Sequence, residues 1–135
     1  MYRRAALSQY TNVDIETKTQ VQDPHHLIFL LFEKGCSLLR QSQESLKQDD
    51  FEGFSKSANH AMQIVIGLRG VLDLDKGGDL AKQLNETYTS IAASLFKAIG
   101  EKDPVAIEKL YLAMSELKEA WETVKEALSI SKHDG

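Results

Sequence analysis

Apolar side chains in this sequence recur at helical spacing along four long stretches, in strictly alternating steps of three and four residues in two of them. That is the period of a helix with one buried stripe, because successive helical residues turn by about 100°. The first stretch runs from about Pro24 to Lys47 and opens on Asp23-Pro24. Aspartate accepts hydrogen bonds from free first-turn amides and proline suits the first helical position, so a helix is expected to start here. Its Leu27-Ile28-Phe29-Leu30-Leu31-Phe32 run is six consecutive apolar residues. Such a run wraps the whole helix, whereas one core covers only a stripe of it. Either a central position in a bundle or a groove awaiting a partner would cover the remainder. Beyond Phe32 the apolar positions thin to Leu38, Leu39 and Leu46, with Gly35 and Cys36 between them.

Gln48-Asp49-Asp50 reads as a turn, and Asp49 with Glu52 three residues later has the spacing of a capping box. In the second helix Phe51, Phe54, Ala58, Ala61, Val65, Leu68 and Leu72 form a three-heptad seam, while Met62, Ile64 and Ile66 lie off it. Gly67 and Gly70 late in that helix each cost about 1 kcal/mol against alanine, which suits a close backbone approach or a helix already ending. Asp73 to Gly78 reads as a stop and turn, its glycines able to take positive φ. Asp79 is expected to cap a third helix with Leu80, Leu84, Tyr88, Ile91, Leu95 and Ile99 on one face, ended by Gly100. Asp103-Pro104 starts a fourth, whose stripe is Ile107, Leu110, Met114, Leu117, Trp121, Val124 and Leu128. The expected fold is all-α, an antiparallel up-and-down four-helix bundle over residues 23–129. Residues 1–22 read as a flexible arm able to carry a short extra helix, and 130–135 as a frayed tail.

Charge is distributed unevenly over these helices. Between Phe51 and Leu72 only Glu52, Lys56 and Arg69 are charged, and between Leu80 and Ile99 only Lys82, Glu86 and Lys97. The fourth helix carries eight charges from Pro104 to Leu128, so its outer face is solvated. The second and third helices therefore have a side that is either concealed or reserved for a partner. A net charge of −4 on 135 residues argues against a general binder of nucleic acid, Arg3-Arg4 being a small local exception. No apolar run is long enough to span a bilayer, and the first twenty residues lack a secretory signal's apolar stretch. With Cys36 as the lone cysteine no internal disulfide can form, which fits a reducing cytoplasm.

The chemistry expected of an enzyme is missing. No glutamate is followed three residues on by histidine, as a di-iron bundle needs, and His25, His26, His60 and His133 make no zinc pattern with Cys36. His60 could in principle be a phosphotransfer histidine, but Gln63 and Ile64 stand where that pattern wants lysine and glycine. Lys76-Gly77-Gly78-Asp79 lacks P-loop spacing and reads as a turn. Cys36 reads as a small buried hydrophobe. No cofactor, metal or catalytic group is expected. A helical regulator or dimeric adaptor is one reading that fits such a chain.

The residues also carry a resemblance. Ala6-Leu7-Ser8-Gln9-Tyr10, then Asp23-Pro24-His25-His26-Leu27-Ile28 running to Gly35, then Gly67-Leu68-Arg69 with Leu72-Asp73, resemble the flagellin-specific export chaperones, the FliS family. The likeness continues through Lys76-Gly77-Gly78-Asp79-Leu80-Ala81, Leu84, Tyr88 and Glu116-Leu117-Lys118-Glu119-Ala120-Trp121. The resemblance implies a cytoplasmic helical bundle that binds the disordered C-terminal segment of flagellin, prevents its polymerisation and presents it to the flagellar type III export apparatus. It implies an anti-sigma factor as a further partner in some members. It also implies that the segment bearing Tyr10 lies over the groove until flagellin displaces it. Ile28, Leu31, Phe32, Ile64, Leu68 and Leu84 are the expected groove residues, on a monomer or weak homodimer. Two places depart from the family pattern, at Phe32-Glu33-Lys34 and at Thr89-Ser90.

Overall fold

The computed structural model describes residues 24–72, 74–75 and 77–134, with side chains as far as 123. They form four helices: α1 (Pro24–Lys47), α2 (Phe51–Gly70), α3 (Gly78–Glu101) and α4 (Pro104–Asp134). No strand occurs among the described residues. Short connections make consecutive helices run in opposite directions. α1 packs against both α2 and α4, α2 packs against α3, and α3 meets α4 over a smaller contact than any of these. The result is the up-and-down four-helix bundle expected from the apolar periodicity.

Helix ends follow local chemistry, sometimes one residue away from expectation. α2 is capped by Asp50, not Asp49: its carboxylate accepts from the Gly53 amide at 2.9 Å. Asp49 instead takes the left-handed turn position, φ 57°. Gly53 is the residue that admits this cap, because a Cβ there would collide with the Asp50 carboxylate. α3 begins with Gly77 as its cap and Gly78 at φ 58°, so Asp79 sits inside the first turn, favourably placed for the helix dipole but not capping. That helix passes through Gly100 to Glu101, and Lys102 takes the left-handed closing position at φ 51°. The reversal falls there because Asp103 must leave the helical region ahead of Pro104. Asp103 then caps α4, accepting from Val105 and Ala106 amides at 3.0 and 3.2 Å. α4 continues beyond Leu128 to Asp134, since no proline or glycine interrupts it before Gly135.

The core joins all four helices. Phe32, Phe54, Ile64, Leu95, Ile107 and Met114 are each 0–1% exposed. Burying each contributes about 1.5–3 kcal/mol. Gly35 brings α1 close to two other helices at once: a Cβ there would lie 2.8 Å from Met114 Cε and 3.6 Å from Ile64 Cγ2. Gly70 plays no such role. It ends α2, and a Cβ there would meet nothing within 4 Å.

Candidate partner-binding surface

The expected groove residues divide sharply in position. Leu31, Phe32, Ile64 and Leu68 are 0%, 1%, 0% and 1% exposed and belong to the core cluster. Ile28 and Leu84 are partly buried and pack on its margin. Tyr10 lies outside the described residues. Ile64 is buried for a reason that a single-partner seam overlooks. α2 lies between α1 and α3, so its buried arc is wide enough to include both Val65 on the seam and Ile64 beside it. In this conformation a partner meets only the edge of that set.

The large apolar side chains left in contact with water are others. Phe51 is 46% exposed, Ile66 44%, Leu80 56% and Phe96 73%, all on α2 or α3. On α2, the cleft toward α1 is lined by Gly53, Lys56, Ser57 and His60. At about 100° per residue, Phe51, Met62 and Ile66 project from the other side of the helix, away from α1. Lys102, at the end of α3, has its Nζ 5.5 Å from the Phe51 ring, which puts the start of α2 beside the end of α3. Phe96 follows the buried Leu95 and is turned out of the core by one helical step. Two phenylalanines and an isoleucine thus occupy the side of the bundle that carries few charges. Scattered exposed apolar residues are ordinary, and aromatics sharing an undercharged side are a candidate interaction surface. Phe96 was not singled out from the sequence, although the adjacent pair Leu95-Phe96 held the signal: two neighbours cannot both face one stripe. Val105 and Leu112, 62% and 52% exposed, stand instead among the charges of α4.

The polar and titratable groups near the helices have structural explanations. Tyr88 is 3% exposed, and burial pushes its hydroxyl pKa up to about 12. Its ring meets Phe32 at a centroid distance of 6.3 Å across the core. Trp121 donates its indole N–H to the His25 carbonyl at 2.8 Å and stacks on the His25 ring at 5.3 Å, tying α4 to the start of α1. Arg40 pairs with Glu108 at 3.0 Å, again joining α1 to α4. His60 is partly buried, and burial and the nearby Lys34 hold its pKa below the ordinary value. Among the described residues, no group of three or more His, Cys, Asp or Glu side chains is placed to hold a metal ion, and no helix is long and apolar enough to cross a membrane.

Known proteins resemble this chain along almost its whole length. The sequence model of the family described as Flagellar protein FliS matches residues 6–128. The flagellar secretion chaperone FliS of Salmonella typhimurium is 30% identical over 133 residues, 98% of either chain. The flagellar secretion chaperone FliSB of Pseudomonas aeruginosa is 30% identical over 124 residues, 92% of this chain and 98% of its own. FliS of Vibrio cholerae is 25% identical over 121 residues, 90% of this chain and 89% of its own.

Proposed function

The chain belongs to the flagellar protein FliS family, and from that premise we propose that it is a cytoplasmic flagellar secretion chaperone that binds the disordered C-terminal segment of flagellin. Binding there keeps flagellin from polymerising before export and holds it ready for the flagellar type III export apparatus. The role is one of binding, not catalysis. The observation that carries this reading is the exposed apolar side of α2 and α3, with Phe51, Ile66 and Phe96 among few charges. Ile28 and Leu84, partly buried at the margin of the core, are proposed as further contacts, and Leu31, Phe32, Ile64 and Leu68 lie in the core.

The energetics favour an extended surface over a single pocket. A segment that folds as it binds buries about 1,000–3,000 Å², or roughly 25–75 kcal/mol gross at about 25 cal/mol per Å². Ordering the segment and immobilising the complex cancel most of that gain, so useful affinity requires a long apolar track. Helix-in-groove recognition provides one, with anchors at helical spacing along undercharged helices.

Purified protein mixed with full-length flagellin should co-elute with it on gel filtration and suppress filament growth followed by turbidity. Flagellin lacking its C-terminal segment should do neither; equal binding by the truncated flagellin refutes the assignment. Residues 1–22 are proposed to cover the surface through Tyr10 in the unliganded protein. Deleting Met1 to Gln20 should then speed association or tighten binding, and unchanged kinetics would remove the lid.

A further inference from the structure

A second surface, along the outer face of α1 toward α4, differs in chemistry from the apolar side; Lys34 stands at its border with the α1–α2 cleft, near His60. Between α1 and α4 lies an open cleft of ≈ 420 Å³ whose lining includes Leu30, Lys34, Cys36, Arg40, Tyr111 and Lys118. Three cations line it against one carboxylate, Glu33, in a chain whose net charge is −4. Among the described residues neither Lys34 nor Lys118 has a carboxylate partner within ion-pair distance, whereas Arg40 is held by Glu108. Arg40 is also fixed in place: its guanidinium lies 3.5 Å over the Tyr111 ring, and its Nη1 donates to Gln43 at 2.8 Å. Leu30 and Tyr111 supply apolar wall beside these charges. The thiol of Cys36 feels the same set. Burial pushes its pKa up, Lys118 and Arg40 pull it down, and Glu33 raises it.

We infer that the α1–α4 cleft is a docking site for a short acidic peptide segment of a partner protein, one carboxylate lying between Lys34, Arg40 and Lys118 and an adjacent apolar side chain against Leu30 and Tyr111. Charge complementarity selects the occupant. Two unpaired lysines beside an arginine immobilised on an aromatic ring attract a carboxylate, and the apolar wall distinguishes a peptide from a bare inorganic anion. Size agrees as well. Lys34 and Arg40 span about 9 Å of α1, at 1.5 Å per residue, which matches roughly three residues of extended chain. This site goes beyond the client-binding reading and does not rest on it, because it uses a different pair of helices.

The probe is a hexapeptide with two glutamates on each side of a Leu-Phe pair, compared with its glutamine isostere by calorimetry on the full-length protein. The acidic peptide should bind at least tenfold more tightly than the isostere, and its affinity should fall as salt rises. The double variant Lys34→Glu/Lys118→Glu should lose at least tenfold in affinity, and the milder Lys34→Gln/Lys118→Gln should show the same direction with its helicity intact. Binding of a flagellin C-terminal peptide to the same variants should be unchanged, which separates failure of this site from failure of the chaperone reading. Equal affinity for acidic and glutamine peptides, or affinity that survives both double variants, overturns the proposal.

Discussion

Replacing Phe96 and Ile64 separately by alanine distinguishes the surface that a client would touch from the core that holds the surface in place. Phe96 is 73% exposed and Ile64 is 0% exposed. Full burial of a large apolar side chain contributes about 1.5–3 kcal/mol. Covering the exposed fraction of Phe96 in a complex would therefore contribute about 1–2 kcal/mol. At about 1.4 kcal/mol per tenfold, Phe96→Ala should weaken client binding by roughly five- to thirtyfold. Its effect on folding should stay within about 0.5 kcal/mol, as for other surface changes. Ile64→Ala should behave in the opposite way. It opens a cavity where α1, α2 and α4 meet beside Gly35 and Met114, at a cost of about 2–5 kcal/mol in stability. Thermal melts by circular dichroism, with fluorescence anisotropy of a labelled flagellin C-terminal peptide at a temperature where both variants are folded, measure the two effects. If Phe96→Ala keeps wild-type affinity, or if Ile64→Ala loses affinity without losing stability, the division into surface and core is wrong.

Two other features of the bundle give independent tests. Gly35→Ala sets a helix-propensity gain of about 1 kcal/mol against overpacking on Met114 Cε, for which about 1–3 kcal/mol is typical, so it should be neutral to destabilising; Gly70→Ala, with open space around it, should raise the melting temperature. Denaturant titrations of the two variants compare them directly, and a stabilising Gly35→Ala beside a destabilising Gly70→Ala would contradict the packing described. Tyr88 holds its proton to a pH of about 12 in the folded state, against about 10 unfolded, so its contribution is complete below pH 10 and is lost as pH rises from about 10 to 12. Urea midpoints followed from pH 9 to 12 should fall less steeply for Tyr88→Phe than for wild type, and parallel curves would show that the buried hydroxyl is not responsible.

Helix periodicity made the bundle legible residue by residue: α1 spans the same Pro24–Lys47 stretch that its cap and apolar pattern mark out. Asp103 caps α4 as its position before proline implies. Adjacent aspartates were harder. Asp49 and Asp50 have equal local propensity to cap, and the left-handed turn needed at Asp49 decided between them. Gly100 and Lys102 were separated in the same way, because the stop is set by Pro104 downstream and not by the glycine. The surface was the least legible part. A seam of threes and fours identifies the face toward one neighbour, but α2 has two, so Ile64 was covered and Ile66 was not. Phe51 is on the seam yet half exposed, because it opens α2, where the bundle's edge leaves one side of its ring to water and to Lys102.

The temperature dependence of the binding enthalpy is the most direct test of a long apolar surface awaiting a segment that folds on it. Titrating a flagellin C-terminal peptide into the protein at several temperatures gives the heat-capacity change of association. Burial of about 1,000–3,000 Å², somewhat over half of it apolar, corresponds to a change of about −0.2 to −0.5 kcal/mol/K. A one-to-one complex with a value in that range is the expected result. Binding with a heat-capacity change near zero, or no binding at micromolar concentrations, would contradict it.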